Sequence, residues 1–175
     1  MNDLIKKNRE VILSKWFDKI LETYPVDSAG FLERKKNRFQ NPIGHTISGS
    51  IEQVLDELVS TMDRDRLLAA LDGIVRIRSV QDFSPSQAVA FVFLLKDVIR
   101  ELVEGEEGDS ESVADLHDLE SRIDRVALLA FDKYMECREK LYEIKANETI
   151  RRTSRLLERA NMVADFPRPE GDMKT

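Results

Sequence analysis

Residues 113–144 read VADLHDLESRIDRVALLAFDKYMECREKLYEI. Val113, Leu116, Leu119, Ile123, Val126, Ala130, Tyr134, Cys137, Leu141 and Ile144 fall at steps of three and four, the spacing of one packed helix face. Neither proline nor glycine interrupts the chain between Ser110 and Pro167, so the pattern predicts one long helix. Beyond Ile144 the apolar positions thin to Ile150, Leu156, Leu157 and Met162, set among Arg151, Arg152, Arg155 and Arg159. An unbroken helix of about 50 residues is about 75 Å long at 1.5 Å per residue. That exceeds a small globular body, so the distal part is expected to project or to meet a partner.

Upstream, the helix punctuation is legible. Leu4, Ile5, Ile12, Leu13, Trp16, Ile20 and Tyr24 form an apolar stripe over a helix from Asp3 to Tyr24, stopped by Pro25. A short helix is expected from Ser28 to Gln40. Asn41 then supplies a cap and Pro42 a first helical residue that sacrifices no needed donor. That helix runs to about Thr61 with Ile43, Ile47, Ile51, Val54, Leu55 and Leu58 inward. Gly44 and Gly49 either weaken its opening turns or admit another backbone. Asp63 caps a helix from Arg64 to Arg78 that presents Leu67, Leu68, Leu71, Ile74, Val75 and Ile77. Ser84-Pro85-Ser86-Gln87 is a capping box that opens the most apolar helix, ending near Glu104. The connector EGEEGDSES, residues 104–112, is too polar to bury itself. Nothing alternates like a strand, so the fold class is all-α.

The 175 residues suit one domain with a helical extension: a body over residues 1–145, an extension over 146–166 and a disordered polar tail over 167–175. The chain is 42% hydrophobic and 34% charged, enough for one core, and it holds no run of about 18 apolar residues that would span a bilayer. The charged, amphipathic N-terminus is no secretory signal. One cysteine excludes an intrachain disulfide and fits a reducing compartment, so a cytoplasmic protein is expected. A net charge of −6 argues against nucleic acid as a partner. The one basic cluster, Arg34, Lys35, Lys36 and Arg38, reads as the wet face of the short helix.

No chemistry assembles. His45 and His117 have no histidine or cysteine three or four residues on, so no zinc pair is encoded. There is no Glu-x-x-His pair, P-loop, dinucleotide fingerprint or nucleophile elbow. Cys137 lies on the apolar face and reads as a packed thiol. The residues indicate a non-enzyme without a metal or cofactor.

Trp16-Phe17, Tyr24-Pro25, Arg38 through Gly44 (RFQNPIG) and Arg76 through Ala88 (RIRSVQDFSPSQA) resemble the N-terminal domain of RsbR/RsbRD-type proteins. These are RsbT co-antagonists of bacterial stressosomes, and the same domain precedes some histidine kinases. The resemblance covers residues 5–145. It implies a globin-like body of about six helices without haem, dimerisation through helices, and a sensory role in stress signalling whose output leaves by the last helix. A globin-type proximal ligand would sit on Arg64–Arg78 or just after it, where there is no histidine, and His45 is on the wrong segment. Relatives continue into a STAS or kinase module; this sequence runs from the long helix into a short tail, so a separate partner protein is expected.

The candidate partner contacts are Ile150, Arg151, Arg155, Leu156, Leu157 and Met162. Trp16, Arg38, Asn41, Pro42, Gly44, Arg76, Arg78, Ser84 and Pro85 carry the resemblance and read as structural. For Arg76 and Arg78 the helix dipole explains a cation near a C-terminus. The alternative to a dimeric sensor is an accessory or assembly subunit docking on a larger complex, including a membrane-associated redox enzyme. A small-ligand binder using the space a globin gives to haem is the least favoured reading.

Overall fold

The computed structural model describes residues 2–24, 41–81, 83–104 and 110–159. Among them are six helices: α1 (Asn2–Lys7), α2 (Arg9–Glu22), α3 (Pro42–Leu58), α4 (Arg64–Val80), α5 (Pro85–Val103) and α6 (Ser110–Arg159), with no strand. The expected helix over 28–40, the basic cluster with Arg38, Met162 and the tail lie outside the described residues.

The caps fall where the side chains dictate. Asn41 Oδ1 accepts from the Gly44 amide at 2.8 Å, with Pro42 opening α3. Asp63 accepts from the Arg66 amide at 2.9 Å. The Ser84 hydroxyl accepts from the Gln87 amide, and the Gln87 side chain accepts from the Ser84 amide at 2.9 Å.

Two boundaries differ most from expectation, while α4 runs two residues past Arg78 to Val80. The first helix divides at Asn8, whose φ of −104° and ψ of 16° leave the helical region. Its backbone amide and its side-chain amide both donate to the Leu4 carbonyl at 3.0 Å, so the side chain competes locally with the ladder. Further on, α3 stops at Leu58 instead of Thr61. Glu57, only 8% exposed, gathers the Thr61 hydroxyl at 3.3 Å, the Asp63 amide at 3.2 Å and Arg66 at 3.4 Å. That carboxylate folds the chain into a turn, with Met62 at a φ of 53°.

One core joins all six helices. α2 packs on α3 and α5, and α3 on α4. The close approach of α3 and α4 belongs to Gly73, where a Cβ would lie 2.8 Å from Thr46 Cγ2 and 3.0 Å from Ser50 Oγ. Gly49 faces open space. Trp16 is wholly buried and its indole N–H donates to the Phe91 carbonyl at 2.7 Å, tying α2 to α5.

α5 and α6 run antiparallel, as two ion pairs show: Arg100 with Glu120 at 2.7 Å and Lys96 with Asp124 at 2.6 Å, each step forward in one helix matching a step back in the other. Leu119, Ile123, Val126, Ala127, Ala130 and Tyr134 of α6 enter the core.

The chain divides into two compact units, Met1–Arg138 and Glu139–Thr175. In the second, residues 139–159 are helical, and all except Leu141 and Leu157 are exposed. The apolar spacing predicts burial as far as Ile144, yet Ile144 is exposed. Periodicity records which residues share a face, and says nothing of what covers it. No helix among the described residues is long and apolar enough to cross a membrane.

Candidate interaction face and buried arginine

Arg78 sits in the last turn of α4. Its position follows from the same spacing that buries Leu71, Ile74 and Val75, and its exposure is 0%. The guanidinium lies over three rings, at 5.0 Å from the centroid of Tyr24, 4.8 Å from Phe83 and 5.4 Å from Phe91. Such stacking replaces part of the lost hydration of a buried cation. Nη1 donates to the Gln87 carbonyl at 3.0 Å and Nη2 to the Thr23 hydroxyl at 2.8 Å. No carboxylate among the described residues pairs with it, and neither Nε nor the buried Tyr24 hydroxyl makes a well-formed hydrogen bond, the two side chains interacting only loosely with each other. Burial pushes the Arg78 pKa below its ordinary value. It raises that of Tyr24, against the pull of the neighbouring Arg78 charge.

Around this node the last helix is fastened. The Tyr134 hydroxyl donates to the Phe83 carbonyl at 3.2 Å, and Arg138 Nη1 donates to the Ser79 carbonyl at 3.0 Å. Lys133 reaches Asp72 of α4 at 3.1 Å and Glu136 at 3.0 Å. Hydrogen bonds to Glu136 and then to Asp72 raise the Lys133 pKa. Partial burial works to raise that of Asp72, but Lys133 and Arg76 hold it below the ordinary 3.8.

Part of the α5–α6 pair is apolar and exposed. Lys96 lies over the Phe93 ring at 5.8 Å and pairs with Asp124, which places Phe93 and Leu128 one turn further along the same side. Leu128 (67% exposed), Phe131 (43%) and Met135 (39%) continue the stripe at steps of three and four, beside the exposed Phe93. Large apolar side chains exposed together on one helix face suit a protein contact.

The family profile described as the RsbT co-antagonist protein rsbRD N-terminal domain matches residues 10–149. The chain belongs to this family. A protein of Archaeoglobus fulgidus described as uncharacterized is 22% identical to this RsbRD-type domain over 147 residues, covering 81% of this chain and 84% of the relative. No solved structure matches.

The family-bearing residues of the RsbRD-type domain take different places. Trp16, Asn41 and Gly44 are buried, and Pro42, Ser84 and Pro85 are exposed in caps. Arg76 and Arg78 separate sharply: Arg76 is exposed and pairs with Asp72 at 3.1 Å, whereas Arg78 is interior. Ile150, Arg151, Arg155 and Leu156 are exposed and Leu157 is half-buried. His45 and His117 are exposed, and Cys137 is free and half-buried. Among the described residues no group of three or more histidine, cysteine or carboxylate side chains is placed to hold a metal ion.

The Leu128–Phe131–Met135 stripe is absent from the sequence reading, although its steps of three and four are readable beside the longer seam. Sequence reasoning also missed the burial of Arg78, which Ile74 at i−4 and Val75 at i−3 signal.

Proposed function

We propose that this domain is a non-enzymatic sensory or regulatory module that acts through protein contact and works as a homodimer, its two copies meeting at the α5–α6 face. The observation that carries this is the exposed stripe of Phe93, Leu128, Phe131 and Met135. A second copy is a self-complementary way to cover it, since a twofold contact needs only one patch. The family's description as a co-antagonist supports regulation by contact, and the likeness to stressosome proteins supports stress signalling in the cytoplasm. In this reading the body is globin-like, binds no haem, and passes its state outward through α6.

The expected result is a dimer by sedimentation equilibrium at tens of micromolar, an order of concentration suited to a modest interface. The double variant Leu128→Asp with Phe131→Asp should be a monomer with unchanged helical circular dichroism. A wild-type monomer at those concentrations overturns the reading.

A second reading has its own support. In the second unit Tyr142, Ile144, Ile150 and Leu156 are exposed beside Arg151 and Arg155, which suits docking on a different protein, as an accessory subunit of a larger, membrane-associated redox complex would do. Truncation from Lys145 onward should then abolish capture of that protein while leaving the dimer intact. Capture that survives truncation removes this second reading.

A further inference from the structure

Within the first unit, the last tethered turns of α6 are fastened through one corner of the fold. Tyr134 bonds to the carbonyl of Phe83, Arg138 to that of Ser79, and Lys133 to Asp72. All three acceptors belong to α4 or to the segment leaving it. Two are backbone carbonyls, so their positions depend on how Ser79, at the end of α4, and Phe83, just before α5, are held.

Arg78 is what holds that turn. Its guanidinium stacks on Phe83 at 4.8 Å, bonds forward to the Gln87 carbonyl and back to Thr23 at the end of α2. Tyr24, the residue after Thr23, meets Phe83 edge-on at 5.4 Å and also lies beneath the guanidinium. The end of α2, the end of α4, the first turn of α5 and the tethers of α6 therefore share one side chain.

The node is also incompletely satisfied. Arg78 Nε and the Tyr24 hydroxyl are buried without a well-formed hydrogen bond, interacting only loosely through their two side chains, and the cation has no paired carboxylate among the described residues. Unmet polar capacity in an apolar setting lowers the cost of a competing arrangement, because a shifted packing can recover bonds that this one forgoes.

We propose that Arg78 is the positioning residue of a conformational latch that couples the α2–α4 corner to the outgoing helix: when its stack on Phe83 loosens, the Phe83 and Ser79 carbonyls move and the bonds of Tyr134 and Arg138 to them loosen while the rest of the body stays folded. This rests on reading α6 as the route of output, but its test does not depend on dimerisation. A chain that sediments as a monomer leaves the exchange result below standing.

Amide hydrogen exchange on the full chain tests the latch. Arg78→Gln should speed exchange over 133–138 by about tenfold, the scale of coupling carried by one node, while amides at 51–58 in α3 keep their protection. Tyr134→Phe, which removes only the tether to Phe83, should speed exchange over 133–138 by a smaller factor and leave 20–24 unchanged. Added to Arg78→Gln it should contribute little more, because that tether is already lost. A merely structural arginine would raise exchange everywhere, and that pattern overturns the proposal. So do unchanged exchange at 133–138, or factors from the two variants that simply multiply. If Arg78→Gln does not fold, Arg78→Lys keeps the charge and loses the planar stack, and the same localised pattern is required of it.

Discussion

Gly44 is the position where one added carbon should do the most local damage. A Cβ there would lie 2.2 Å from Asn41 Nδ2, 2.8 Å from Cγ and 2.9 Å from Oδ1, all atoms of the side chain that caps α3. Asn41 is 1% exposed, so its amide cannot swing into water. Gly44→Ala therefore breaks the 2.8 Å capping bond and leaves the buried backbone amide at position 44 without its acceptor. Loss of the cap costs about 1 kcal/mol and an unsatisfied buried group about 1–3 kcal/mol, offset by about 0.5–1 kcal/mol for replacing glycine in a helix. The net loss is about 2 kcal/mol, or about 4–8 °C in Tm for a chain of this size. Urea unfolding followed by circular dichroism measures it. In an Asn41→Ala background the clash disappears, so the same substitution should cost far less. A Gly44→Ala protein within about 0.5 kcal/mol of wild type, or equal costs in both backgrounds, refutes the reasoning.

Two further outcomes follow from single contacts and a third from the haem-free reading. Trp16→Phe removes the bond to the Phe91 carbonyl and leaves a void between α2 and α5, and should cost about 1–3 kcal/mol in the same urea assay. Asp72 is held below its ordinary 3.8, so its contribution is present above that pH and is lost as pH falls through the depressed value. The stability gap between wild type and Asp72→Asn, at most about 1 kcal/mol for this partly exposed pair, should hold steady from neutral pH and close in acid; a gap that widens on acidification contradicts the ion-pair account. Titration with haemin should produce no sharp Soret band, and one that appears with a defined endpoint would show axial ligation and sink the haem-free reading.

The caps show how far local sequence carries. Asn41-Pro42, Asp63 and Ser84-Pro85-Ser86-Gln87 each place a helix start to the residue, because the acceptor and the orphan amides it serves lie within three positions. The end of α3 at Leu58 escapes local sequence for the opposite reason. Glu57 gathers groups up to nine residues away, a convergence that only the turn itself creates. Likewise, of the two readings of Gly49, weakened opening turns or a close backbone approach, the second does not apply because it faces open space, while Gly73, inconspicuous in α4, is the one pressed against Thr46 and Ser50.

Arg76 and Arg78 mark the boundary most clearly. By sequence alone the chain determined its helical class, its caps, its long last helix and the family patches that surround these two residues. Their chemistry near a helix end is identical, and the dipole argument applies equally to both. Only the tertiary structure sent one to solvent beside Asp72 and the other into a cage of Tyr24, Phe83 and Phe91. The same holds for α6, whose apolar steps continue through residue 144 although burial ends at Tyr134. A helix's period is set by bonds within four residues. What lies against each face is set by elements tens of residues away, and that is decided when they pack.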